Sequence, residues 1–216
     1  MPTKASLIER IYHGIKQDLS SGALLPGQRV DVAALCERFG ASKSPIRNVL
    51  NRLVGEDLLE VHAHDGFYRP RVTEQKLRDL YQWTETILLL SLEKAFPEGT
   101  TEIALPPVEL AGEDVVIQTE QLFSAVASLG GNVEFRRAIY STNDRLRPIR
   151  RQKDTNLIDR PSEVAALASA WQAADIPALR KHISTYHRVR LDLIPRIVAF
   201  AYRDPTELID QGFAGN

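Results

Sequence analysis

One run of the chain constrains the fold more than any other: Val32-Ala33-Ala34-Leu35-Cys36-Glu37-Arg38-Phe39-Gly40-Ala41-Ser42-Lys43-Ser44-Pro45-Ile46-Arg47-Asn48-Val49-Leu50-Asn51-Arg52-Leu53-Val54. Val32, Leu35 and Phe39 recur at helical spacing behind Asp31, a residue suited to capping free N–H groups. Gly40 stands where a helix ends on a residue able to take positive φ. The spacing predicts a first helix that stops at Gly40. A second helix starts at Ser42 or Ser44, since either hydroxyl can cap and Pro45 is tolerated in a first turn.

Within the second helix Ile46, Val49, Leu50, Leu53 and Val54 fall on one side, and Ser44, Arg47, Asn48 and Asn51 on another. The polar side suits a major groove. Arg47 can grip guanine O6 and N7 together, Asn48 or Asn51 can pair with adenine, Lys43 and Ser44 suit phosphate, and Ser42 is counted with the DNA-binding residues. A solvated face of an ordinary amphipathic helix is the competing reading, and the flanks weigh against it. After Gly55-Glu56-Asp57, the segments Leu58–His62 and Phe67–Val72 look like two strands around the turn Ala63-His64-Asp65-Gly66. Such a wing brings His64 and Gly66 near phosphate or a minor groove. The expected amino-terminal domain, residues 1–72, is a winged helix-turn-helix with a small β-hairpin wing.

The same stretch resembles the GntR family of bacterial transcription regulators. The resemblance rests on Ile11 through Leu19, Leu25-Pro26-Gly27, Phe39-Gly40, Ser42-Lys43-Ser44-Pro45-Ile46-Arg47, Leu50, Leu53, Leu58 and Gly66-Phe67. It implies a double-stranded DNA operator as partner. Three departures fall at positions the family uses for DNA. Lys43 replaces an Arg and gives up bidentate geometry, Ala33 and Ala34 stand where many members carry charge, and Asp65 occupies a wing position that is often basic. An altered or weaker operator preference is expected, with binding retained.

Charge fits a localised reading face better than a general positive field. The chain carries a net charge of −1, with 10 Lys and Arg against 8 Asp and Glu in residues 1–72 and a net −3 beyond. With so small a surplus, affinity needs two copies of the face, so a homodimer is expected. No apolar run approaches the roughly 18 residues of a membrane span, no signal-peptide pattern opens the chain, and the expected location is the cytoplasm. Cys36 is the only cysteine, which leaves no internal disulfide and no cysteine-rich metal site.

From Thr73 onward the texture is helical. Glu74–Ala95 is apolar on more than one side, Phe96–Gly112 reads as a loop, and further helices are expected at about Glu113–Leu129, Asn132–Gln152, Pro161–Ala173 and Ile176–Tyr202. Pro195 should kink or interrupt the last. The second domain, residues 73–216, is therefore expected to be an all-α bundle serving effector binding and dimerisation, which makes the fold class mainly α.

This order resembles the helical effector domain of the FadR subgroup, the FCD domain. The local matches are Leu122-Phe123 followed by Gly131-Asn132, and Ala173-Ala174-Asp175 before the last helix. The subgroup's divalent metal, held by one Asp and three His, would need ligands this chain lacks. Ser124 follows Phe123, Val164 stands before Leu167, and only Glu120 and His187 lie near ligand positions. No metal or other cofactor is expected. His182 and His187 are read as surface or hydrogen-bonded histidines, and the stretch Arg136, Arg137, Arg145, Arg147, Arg150 and Arg151 as a charged helix face. An anion could still be held by Arg or Tyr, with the effector and its contacts unknown.

The chain shows no Gly-rich phosphate loop, no His-Glu-x-x-His, no Gly-x-Ser-x-Gly and no cysteine nucleophile beside a base. The expected function is a homodimeric, effector-modulated repressor rather than an enzyme. The alternatives are a constitutive DNA-binding dimer whose helical domain senses nothing, and a winged helix that binds protein.

Overall fold

A computed structural model describes residues 4–62, 66–97, 100, 104–110, 112–152 and 158–202, and among them the chain is mainly helical with one two-stranded hairpin. It divides into two compact units, Met1–Thr73 with Pro195–Asn216, and Glu74–Ile194.

The first unit contains α1 (Lys4–Ser21), α2 (Val32–Phe39), α3 (Lys43–Gly55), β1 (Glu60–His62) and β2 (Gly66–Tyr68). Ile11, Ile15 and Leu19 of α1 face Ile46, Val49, Leu50 and Leu53 of α3, and Val30, Leu59 and Phe67 close the core. Asp31 caps α2 by accepting from the N–H groups of Ala33 and Ala34, and Gly40 ends it at φ 59°, ψ 40°. The turn to α3 thus rests on a residue for which a left-handed backbone carries no Cβ clash. Ser42 occupies the cap position of α3, but its hydroxyl makes no capping bond, contrary to the expectation for that side chain.

The hairpin is shorter than its sequence pattern. Its register pairs Glu60 with Tyr68, Val61 with Phe67 and His62 with Gly66. Leu58 and Leu59 instead donate their N–H groups to the Leu53 carbonyl at 3.0 and 3.3 Å, which ties the approach to β1 onto the end of α3. Past Tyr68 the backbone turns to the segment after Leu25-Pro26-Gly27. Val30 donates to the Phe67 carbonyl at 2.8 Å, Arg69 to the Gln28 carbonyl at 2.9 Å, and Gly27 to the Arg69 carbonyl at 2.9 Å. The wing therefore has a third edge, formed by residues 27–30. The turn residues Ala63, His64 and Asp65 lie outside the described residues.

The second unit is built from α4 (Glu74–Ala95), α5 (Val115–Leu129), α6 (Val133–Arg150), α7 (Arg160–Gln172) and the larger part of α8 (Ile176–Ala201). α5 packs on α4, α6 and α7. Its buried apolar residues include Leu88 and Leu92, Leu122 and Phe123, Ile139 and Leu146, Leu167 and Trp171, and Leu179 and Ile183. Asp114, Asn132 and Asp159 cap α5, α6 and α7 through their side chains, which fixes starts the apolar pattern places only to within two residues. α8 continues through Pro195 without interruption, and α6 contains Pro148. A proline removes one ladder bond, and burial of Ile194 and Ala201 on either side of Pro195 favours the helix over a break.

Candidate DNA interface and the polar centre of the helical unit

α3 divides its residues cleanly between core and solvent. Ile46, Val49, Leu50 and Leu53 are buried, whereas Ser42, Lys43, Ser44, Arg47, Asn48 and Asn51 are all exposed. Val54, expected with the core, is half-buried. Among the described residues, Lys43, Arg47, Asn48 and Asn51 have no internal hydrogen bond or ion pair, so their donors and acceptors are available to another molecule.

Arg52, on the same helix, is also exposed but is tied to partners within its own domain. Its guanidinium lies 3.7 Å over the Tyr12 ring and bonds to Glu9 at 3.1 Å and Glu56 at 3.2 Å. Tyr12 donates to Glu56 at 2.7 Å, and Lys16 donates to the Tyr12 oxygen at 3.0 Å. Burial raises the Tyr12 hydroxyl above its ordinary range, so it stays a donor. This network bolts α1 to the end of α3 and holds the exposed face at a fixed angle to its own domain. Nothing in the sequence pattern points to it, because Tyr12 and Glu56 meet only through the fold.

Gly66 opens β2 at φ +104°, and a Cβ placed on it would lie 3.5 Å from Arg29 Nε. Arg29 is exposed and forms a β-bridge with Tyr68, so the third edge sets a guanidinium beside the wing. Arg71 similarly lies 3.4 Å from the Cβ position of Gly27. Sequence reasoning missed Arg29. The available signal was the Leu25-Pro26-Gly27 turn, which returns the following residues toward the hairpin. His64 lies outside the described residues.

In the helical unit, the arginine stretch of α6 is not one charged face. Arg136 and Arg137 are exposed, and Arg137 pairs with Glu134 at 2.7 Å. Arg147 and Arg150 share the inward face of Asn143 and Leu146, a separation of one and two turns that could have been seen in the sequence. Arg147 bonds the carboxylate of Glu120 through Nε at 3.0 Å and Nη2 at 2.5 Å, and reaches Asp144 at 3.1 Å. Arg150 donates to Asn143 at 2.9 Å and to the Tyr186 hydroxyl at 3.0 Å, and lies 3.5 Å from Glu120. Arg190 bonds Glu163 at 2.8 and 2.6 Å with its guanidinium 3.3 Å over the Tyr186 ring.

His187 is fully buried, with Nδ1 2.7 Å from the Ile183 carbonyl and the Phe123 ring stacked on it at 5.6 Å. Burial, assisted by Arg150 and Arg190, pushes its pKa down to about 3. The same burial holds the Tyr81 hydroxyl up at about 12. These residues do not fit a divalent metal. The Glu120 carboxylate is taken by arginines, Ser124 is bonded by Asn143 at 3.4 Å, and Val164 offers no ligand. Among the described residues, no three His, Cys, Asp or Glu gather in a metal-binding group.

Residues 7–68 match the family model described as bacterial regulatory proteins, gntR family. The HTH-type transcriptional regulator McbR of Escherichia coli is 28% identical over 186 residues, which span 84% of this chain and 80% of that protein. Two solved structures share the fold. A transcriptional regulator GntR from Rhodococcus sp. RHA1 has a TM-score of 0.69 at 18% identity, over 91% of this chain and 99% of that one. E. coli McbR/YncC has a TM-score of 0.60 at 20% identity, over 91% and 99%. Residues 7–68 are thus similar to the DNA-binding part of the gntR family, the polar face of α3 lies exposed within that stretch, and the relatives matched along the chain are transcription regulators.

Proposed function

We propose that the protein is a homodimeric repressor that docks two copies of α3 on the half-sites of an operator, and whose binding is modulated by a small molecule in the Glu74–Ile194 unit, after the manner of the FadR/FCD subgroup. The observation that carries the DNA contacts is the exposed, internally unbonded set Lys43, Arg47, Asn48 and Asn51 on a helix whose other arginine, Arg52, is held by Glu9 and Glu56. Arg47 is the base reader. Lys43 and the hydroxyls of Ser42 and Ser44 hold phosphate, Asn48 or Asn51 reads adenine, and Arg29 joins Gly66 and His64 at the wing. The domains responsible are residues 1–72 and 73–216, working in the cytoplasm, and no described helix is long and apolar enough to cross a membrane.

Selecting random oligonucleotides with the purified protein tests this. A two-fold symmetric motif is expected, and its guanine preference should disappear with Arg47→Ala. Selection of no motif would favour a protein-binding winged helix instead. A constitutive dimer is the second reading, favoured by the pairing of Glu120 and Glu163 with arginines already in the bundle. A metabolite panel that shifts neither melting temperature nor operator affinity would establish it.

A further inference from the structure

Two buried side-chain nitrogens among the described residues lack a hydrogen-bond partner, Arg150 Nη2 and His187 Nε2. They belong to one cluster. The Phe123 ring stacks on His187 at 5.6 Å and lies 5.5 Å from the Arg150 guanidinium. Tyr186 accepts from Arg150 Nε and packs edge-on against His187 at 5.0 Å. Leaving such a donor and such an acceptor dry is costly, and native proteins seldom do so without a ligand or an ordered water.

The two atoms ask for different things. Bonding to the Ile183 carbonyl requires a proton on Nδ1, which leaves Nε2 with a bare lone pair in need of a donor. Arg150 Nη2 has only protons to give and needs an acceptor. A carboxylate supplies acceptors alone and sets its charge against the Nε2 lone pair. A divalent cation suits Nε2 but meets the fixed charge of Arg150. The local ion pairs are balanced as well, with Glu120, Asp144 and Glu163 against Arg147, Arg150 and Arg190. The further cation beside Arg190, Arg160, is half-buried and donates to the Gln152 carbonyl.

We propose that the centre of this bundle is a metal-free site for an uncharged polar small molecule, whose primary amide or hydroxyl accepts from Arg150 Nη2 and donates to His187 Nε2 against the Phe123 ring. The site rests on the effector reading given above and uses the chain's own guanidinium and imidazole in place of the subgroup's metal.

The isosteric pair propionamide and sodium propionate, with zinc chloride as a third probe, tests it on the full chain labelled with ¹⁵N-histidine. The His187 Nε2 resonance is assigned by its loss in His187→Phe. Propionamide should shift that resonance and raise the melting temperature at concentrations at least about tenfold below those at which propionate acts. The shift should vanish in Arg150→Gln, and the wild-type comparison of the three probes stands even if that variant fails to fold. Propionate acting as well as propionamide, zinc moving the Nε2 resonance, or no probe moving it would each overturn the proposal, the last because a bound water then suffices. Release of operator by a metabolite extract from His187→Phe as readily as from the wild type would place sensing elsewhere while leaving the effector reading intact.

Discussion

Arg47 and Arg52 lie on one helix with the same side chain and opposite surroundings, one unbonded toward solvent and one clamped between Tyr12, Glu9 and Glu56. Arg47→Ala should therefore cost about 1–3 kcal/mol of specific DNA binding while leaving thermal stability within about 0.5 kcal/mol, as measured by anisotropy and denaturation. Arg52→Ala should lower stability, seen as an earlier urea midpoint. His187 supplies a pH test. Its folded pKa, about 3, lies below the ordinary 6.5, so beneath about pH 6.5 the unfolded chain takes up a proton that the folded chain refuses. Its contribution is complete above that pH and declines toward pH 3 with a slope of up to about 1.4 kcal/mol per pH unit. Urea titrations between pH 7.5 and 4.5 should show that slope reduced in His187→Asn, which keeps a donor for the Ile183 carbonyl; an unchanged slope would show that other groups dominate. Arg47 was legible in the sequence because helical periodicity separates its face from the core. The inward turn of Arg147 and Arg150 was obscured by the density of arginines around them, and Arg29 by the separation in sequence between it and the wing it joins.

The helices follow from signals confined to a few neighbouring residues. Asp31 and Gly40 bound α2 where the sequence places them, and Asp114, Asn132 and Asp159 set later starts. Gly40→Ala should cost about 1 kcal/mol, because its αL backbone at φ 59° brings a Cβ against the neighbouring carbonyl even though the space beside it is open. The fully buried Leu50→Ala should cost about 2–5 kcal/mol from lost transfer energy and an unfilled cavity between α1 and α3. Both are read as shifts in denaturation midpoint at constant slope. The strands were less legible. Apolar alternation extends them to Leu58 and Val72, but Leu58 and Leu59 bond back to Leu53 and Arg69 pairs with Gln28, and those long-range partners decide where the ladder ends.

For the molecule as a whole, a reading domain with a charge surplus of only +2 gains little affinity from a diffuse field, which is why the proposed function pairs two copies of a small exposed face. A homodimer would place its half-sites one helical turn of DNA apart or a multiple of it, about 34 Å centre to centre, and sedimentation of the free protein should give twice the chain mass of 24.2 kDa. The likeness of residues 7–68 to the gntR family model could be recognised in the sequence because the motif is local and chemically specific. The interior of the helical unit could not, because the Arg150 and His187 environment is assembled from α5, α6 and α8, whose relative placement no local pattern encodes. The central claim is that the exposed face of α3, through Arg47, selects the DNA sequence. Parallel selection of random oligonucleotides by the wild type and Arg47→Ala tests it most directly. A two-fold symmetric motif should emerge for the wild type and lose its guanine position in the variant, whereas the same motif at the same affinity from both proteins would contradict the claim.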